Sequence, residues 1–378
     1  MMYRRDFVKT LLFLSGATFY NYVSYGGGAK SEEQPALRVV IDELGIEFGC
    51  QIIIRMIGNY EYDSLAQSNF NKVVIDGELH WTRSRPEKEI FFLEPAKRII
   101  DFARSNKMKI EAHHLIWGHQ LPRWLLAEDK NKREELAETH IRHVMSSLRG
   151  HVDDWVVVNE IYGNYWNKGN YWVDGLSDYG EKFISKCFYA ARESDINARL
   201  FWSDGVGAEL AGEEKADFIF SQIKKFVKNG VPIDGIGFHL HLMMVGQLGD
   251  ISRMTNKASR VKLIGQFKKN IERYRNLGLA VSVTEFDVST LKIPGPDAVK
   301  REIQAEIYSE FLKESISAGV NSFSIFGVGD KFSWYRAIGK DNANALLFDY
   351  DQKPKPAYHE VYKVLYDLLM VQRMSSPV

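Results

Sequence analysis

Two rhythms of hydrophobic and polar positions alternate along this chain. Short runs rich in β-branched and aromatic residues, at 46–53, 72–75, 109–115, 154–159, 199–202, 235–241, 280–287 and 322–325, predict eight strands. Between them, stretches with apolar residues three and four positions apart predict helices over 95–105, 134–148, 180–193, 213–229, 262–277 and 298–318. Eight strands alternating with helices predict an α/β fold, a single-domain (β/α)8 TIM barrel. A doubly wound open sheet would alternate in the same way, but no G-x-G-x-x-G turn follows the first strand. No Pro-, Ser- or Gly-rich linker or fixed-period repeat interrupts the pattern after Gln34, so residues 30–378 read as one domain.

The first 29 residues break both rhythms. Arg4-Arg5 precedes a short apolar stretch interrupted by Ser15, Thr18 and Asn21, a pattern similar to a twin-arginine export signal. The stretch falls short of the roughly 20 apolar residues a membrane span needs, so a removable signal is expected, with an exported, periplasmic or secreted protein and no stable membrane association after its removal. The 378 residues carry 49 Lys plus Arg against 49 Asp plus Glu, which leaves no net field to attract nucleic acid. Cys50 and Cys187 are too few for a disulfide framework and read as inert thiols.

In a parallel barrel the chemistry sits where strands end, at the C-terminal face. The strand at 154–159 ends Asn159-Glu160; the strand at 280–287 carries Thr284-Glu285-Phe286-Asp287; the strand at 235–241 carries His239-Leu240-His241; and His113-His114 precede Trp117. A carboxylate directly after four β-formers is costly to bury, so Glu160 and Glu285 either sit at the barrel mouth or hold partners in strand-end salt bridges. Two such glutamates on different strands suit glycoside hydrolysis, which needs a proton donor and an ionised carboxylate across a sugar. A metal-dependent barrel hydrolase is the rival, with His113, His114, His239 and His241 as ligands, although it leaves Asn159-Glu160 and Thr284-Glu285 unexplained.

Five ordered motifs carry a resemblance to glycoside hydrolase family 10, the xylanase family, over residues 44–365. They are His113-His114-Leu115-Ile116-Trp117 with Gln120-Leu121-Pro122-Arg123-Trp124, the segment ending Asn159-Glu160, Thr284-Glu285-Phe286-Asp287, the loop from Gly327 to Trp334, and Leu346 to Tyr358. The resemblance implies a retaining endo-1,4-beta-xylanase without cofactor or metal, with Glu160 as acid/base and Glu285 as nucleophile, roughly 5 to 5.5 Å apart. It implies His80, His113, Trp117, Gln120, Asn159, His239, His241 and Trp334 as residues binding a β-1,4-linked polysaccharide or oligosaccharide, with Asp287 supporting His241. Glu285 is then expected to be held ionised by His241. Glu160 is expected to stay protonated near neutral pH through burial beside Trp117 and the charge of Glu285.

Several positions depart from the family pattern. After the second strand, Asp76-Gly77-Glu78-Leu79-His80-Trp81 replaces Glu-Asn-Glu-Met-Lys-Trp, His239 replaces a Gln, Phe326 a Trp, and Gly205-Val206 stands where an aromatic is expected. These changes leave the carboxylates in place and imply a shifted substrate: a decorated xylan, a short oligosaccharide or an aryl glycoside. A non-catalytic carbohydrate-binding protein on the same scaffold is the second rival.

Overall fold

A computed structural model describes residues 35–162, 180–242 and 247–375. Eight parallel strands close a barrel: β1 (Glu47–Gln51), β2 (Lys72–Ile75), β3 (Lys109–Ala112), β4 (Asp154–Asn159), β5 (Arg199–Asp204), β6 (Gly235–Leu242), β7 (Ala280–Val288) and β8 (Ser322–Ile325). Each pairs in parallel with the next, and β8 returns to β1 through Glu47–Ser322 and Phe48–Phe323. The expected (β/α)8 barrel is what the chain forms.

Helices α1 (Leu37–Leu44), α2 (Tyr60–Asn69), α3 (Glu94–Ser105), α4 (Lys130–Ser147), α5 (Gly180–Ser194), α6 (Glu214–Lys228), α7 (Lys257–Arg275), α8 (Asp297–Ser317) and α9 (Pro356–Ser375) surround it. Three of them, α1, α2 and α9, go beyond the six predicted. In α3, Ile99, Ile100 and Ala103 are buried while Lys97 and Arg104 face solvent, as an amphipathic helix on a barrel requires. None of the helices among the described residues is long and apolar enough to cross a membrane. The expected export signal at 1–29 lies outside the described residues.

Five strands differ in their limits from the sequence reading, and two of the differences bear on the site. The third strand stops at Ala112 instead of 115; His113 still donates its N–H to the Ile75 carbonyl, and then the chain moves across to pair Ile116–Trp117 with β4. The fifth strand continues past Trp202 to Asp204, which places Ser203 and Asp204 inside the barrel mouth.

The lower barrel interior is charged. Lys72 is fully buried and its Nζ lies 2.7 Å from Asp154, 2.9 Å from Glu111 and 3.2 Å from Glu47, while Arg199 closes the group from below on Asp154 and Glu47. Burying these groups is tolerable because each is matched by an opposite charge. The three acidic neighbours keep the Lys72 ammonium protonated against the cost of its burial.

Candidate active site

Glu160 and Glu285 come from β4 and β7 and face one cavity of about 820 Å³ at the C-terminal ends of the strands. Its wall also includes Trp117, Asn159, His241 and Trp334 near the carboxylates, with His80 and Gln120 further along. Glu160 follows β4 with a backbone φ of 45°, in the left-handed region, and its N–H is tied to the Ser203 carbonyl at 2.9 Å. That conformation is uncommon for a residue with a side chain and is sustained by the neighbouring strand.

Glu285 is 7% exposed and held from three sides. His241 Nε2 donates to its Oε2 at 2.7 Å, and the Nε2 atoms of His113 and His239 each lie 3.2 Å from its Oε1. Asp287 anchors His241 through Nδ1 at 2.7 Å and is itself held by Trp334 Nε1 and the Tyr335 hydroxyl, both at 2.9 Å. Burial opposes a charge on His241, but Asp287 and Glu285 on its two nitrogens outweigh it and raise its pKa well above the usual histidine range. Burial likewise opposes a charge on His113, yet Glu111 at 3.7 Å and Glu285 raise it to about 9. His113 also donates to Asn159 Oδ1 at 3.0 Å, which orients that amide at the cavity wall.

Glu160 is 8% exposed. Trp117 Nε1 donates to its Oε2 at 3.0 Å and His239 Nδ1 meets its Oε1 at 3.1 Å. Burial alone would push this carboxyl up, but the hydrogen bond and charge of His239, the Lys215 ammonium and the Trp117 indole bring it down to about 2. The expectation that Glu160 rests protonated near neutral pH is therefore corrected. It counted Trp117 as apolar cover, whereas the indole points its N–H at the carboxylate, and it overlooked His239.

The structure places His113 and His239, both expected to bind sugar, on the buried side of the carboxylates. They are buried, at 0% and 3% exposure, and lie beneath the carboxylates instead of on the cavity wall. The four strand-end histidines also fail to converge as one ligand set. Donor atoms of His113, His239 and Glu285 approach one another within 4.8 Å, and so do those of Asp76, His80 and His114, but His241 spends both nitrogens on Asp287 and Glu285. The nitrogens of His113 and His239 that face Glu285 are already hydrogen bonded to Asn159 and Ser203.

At the far wall, His80 Nε2 lies 3.0 Å from Asp76 and its Nδ1 3.2 Å from Gln120, while its ring stacks on His114 with centroids 5.1 Å apart. A Cβ on Gly77 would stand 3.1 Å from Arg83 Nη1, so the guanidinium occupies the space that a side chain at 77 would fill. Asp76, Arg83, Ser203 and Tyr335 were missed as site residues. Extending the β5 prediction by two positions would have exposed Ser203, and Asp76 ends β2 as Glu160 ends β4. Arg83 and Tyr335 leave no signal in sequence, because their contacts are made across loops.

The model for glycosyl hydrolase family 10 matches residues 36–364. The chain belongs to that family. It is 31% identical over 348 residues to endo-1,4-beta-xylanase B of Thermotoga neapolitana, covering 90% of this chain and 94% of that protein. It is 29% identical to a beta-1,4-xylanase of Dictyoglomus thermophilum, over 89% of this chain and 92% of that protein. Among solved structures, xylanase 10B of Thermotoga petrophila in complex with xylobiose superposes with a TM-score of 0.76 at 28% identity, covering 91% of this chain and all of that one. As a family 10 member the protein is a glycoside hydrolase, which sets aside the reading as a non-catalytic binder.

Proposed function

We propose that the protein is a retaining endo-1,4-beta-xylanase, with Glu285 as nucleophile and Glu160 as acid/base. The observation that carries this reading is the shared arrangement of the two carboxylates: hydrogen-bond donors hold each from the buried side, and each opens to the same cavity. Held by His113, His239 and His241, Glu285 keeps a fixed oxygen for attack on the anomeric carbon. Glu160, fixed by Trp117, protonates the departing oxygen and then takes a proton from the water that frees the sugar. Asn159, its Oδ1 engaged by His113, offers its amide nitrogen to a sugar hydroxyl. Trp117 and Trp334 supply faces for the ring.

The sugar beyond the cleavage point meets a different wall from the family pattern. His80 braced by Asp76 and Gln120, and Arg83 over Gly77, replace a Lys and an Asn, which supports a decorated xylan or a short xylo-oligosaccharide as the preferred substrate. We place the enzyme outside the cytoplasm, with residues 1–29 as its removable export signal. A product profile on plain xylan, acid-decorated xylan, xylo-oligosaccharides and β-1,4-glucan tests the assignment. Release of xylo-oligosaccharides is expected, with none from glucan; hydrolysis of glucan alone would overturn it.

A further inference from the structure

His239 stands out among the described residues around the carboxylates because its one ring touches both of them. Its Nδ1 lies 3.1 Å from Glu160 Oε1, and its Nε2 lies 3.2 Å from Glu285 Oε1 and 2.9 Å from Ser203 Oγ. The family pattern has a Gln at this position, and an amide offers no exchangeable proton store at these pH values. The fit is built into the backbone. A Cβ on Gly205 would stand 2.8 Å from the His239 Cβ and 3.2 Å from its Nδ1, so the bare backbone at 205 leaves room for the side chain at 239. Ser203 is in turn fixed by Thr284 at 3.0 Å, and a Cβ on Gly237 would collide with both.

We infer that His239 is a positioning residue that holds the catalytic proton at rest and passes it to Glu160 when the glycosidic bond breaks. The inference rests on the assignment of Glu160 and Glu285 as acid/base and nucleophile. At rest the site carries a Glu160 carboxylate, a His239 imidazolium and a Glu285 carboxylate, which holds as many protons as a protonated Glu160 beside a neutral imidazole. In the first step the bond between the anomeric carbon and the leaving oxygen breaks and a Glu285 oxygen bonds that carbon. One proton leaves His239 Nδ1 for Glu160, and Glu160 gives one to the leaving oxygen. Glu285 loses its negative charge as His239 loses its positive one, so the buried site keeps its charge balance. In the second step a water oxygen bonds the carbon and Glu285 departs as a carboxylate. The water proton returns through Glu160 to His239.

Other ionisable groups face this ring and set its field. His113 approaches from β3 with ring centroids 5.3 Å apart, and His241 lies on its own strand at 6.4 Å. Asp204 on β5 is buried and paired with Lys215 at 2.8 Å. Asp76 after β2 and His114 after β3 act at longer range. The resting state described agrees with the depressed Glu160 carboxyl, whose largest opposing influence to burial is His239.

The test compares two titrations in the native protein and in His239→Gln: the Glu160 carboxyl carbon, followed by ¹³C NMR in glutamate-labelled protein and assigned with Glu160→Gln, and the alkaline limb of kcat/KM on an aryl β-xyloside. A carboxylate paired with an imidazole shares its proton with the ring, so the pair retains one proton to higher pH than Glu160 alone. In the native protein the Glu160 signal should stay that of a carboxylate across about pH 5 to 7, well separated from the alkaline limb. In His239→Gln the Glu160 midpoint should rise, the alkaline limb should fall by about one pH unit or more, and the two should coincide. A native Glu160 that titrates together with the alkaline limb overturns the inference, as does a folded His239→Gln variant in which neither moves. The NMR titration of the native protein decides the matter even if the variant does not fold. It needs no substrate, so an error in the xylanase assignment would appear separately, as absent turnover.

Discussion

Two buried clusters of charge share the inside of this barrel and are closed in different ways. In the lower one, Lys72, Glu111 and Asp154 are at most 2% exposed, and each charge is answered by a neighbouring side chain. In the upper one, Glu160 and Glu285 have donors on their buried side and an open cavity on the other. Burial and a perturbed pKa are common to both, since Glu111 is held down to about 2 against its burial by Lys72 and His113, much as Glu160 is by His239. What separates the structural ion cluster from the candidate site is the unfilled side, where a substrate can complete the coordination.

Substitutions in the two clusters should therefore fail differently. Glu285→Ala is expected to reduce xylan hydrolysis to background while leaving the thermal midpoint within a few degrees, as read by reducing-sugar release and calorimetry. Glu160→Ala should lower kcat by about 10²- to 10⁴-fold on xylo-oligosaccharides. Its first step should suffer much less on aryl glycosides whose leaving groups need no proton. Lys72→Met reverses the pattern: it leaves Glu111 and Asp154 without their shared cation and should cost roughly 3–5 kcal/mol of stability in denaturant unfolding. The protein that remains folded should keep its KM within about twofold, since nothing at the cavity wall has changed. A loss of activity from Lys72→Met without a loss of stability would break the comparison.

The smallest effect is on pH-dependent stability. His113 is raised to about 9 in the folded protein, against about 6.5 when unfolded, so the folded state binds this proton more tightly. Its contribution to stability is complete below about 6.5 and is lost as pH rises through about 9. Thermal midpoints should fall over that window by a few degrees, and His113→Asn should flatten the fall.

Most of the barrel was legible because each strand is a short apolar run bounded by turn residues, and β2, β4 and β8 match their predicted limits to the residue. The two carboxylates that face the cavity were legible for the same reason, as polar groups abruptly ending such runs. Helix α2 was not, because Tyr62, Ala66 and Asn69 bury only a narrow face of it. The protonation of Glu160 was misread because the direction of an indole N–H and the ring that fills the space beside Gly205 are tertiary facts. Arg83 over Gly77 is a further case, since the loss of one side chain was visible but the arrival of another was not.

The central claim, that Glu160 and Glu285 act as a retaining pair, is tested most directly by the stereochemistry of the first product. ¹H NMR during the first minutes of hydrolysis of a short xylo-oligosaccharide should show the β anomer accumulating before mutarotation brings in the α form. Initial formation of the α anomer would contradict the claim, because it requires direct attack by water instead of a covalent intermediate on Glu285.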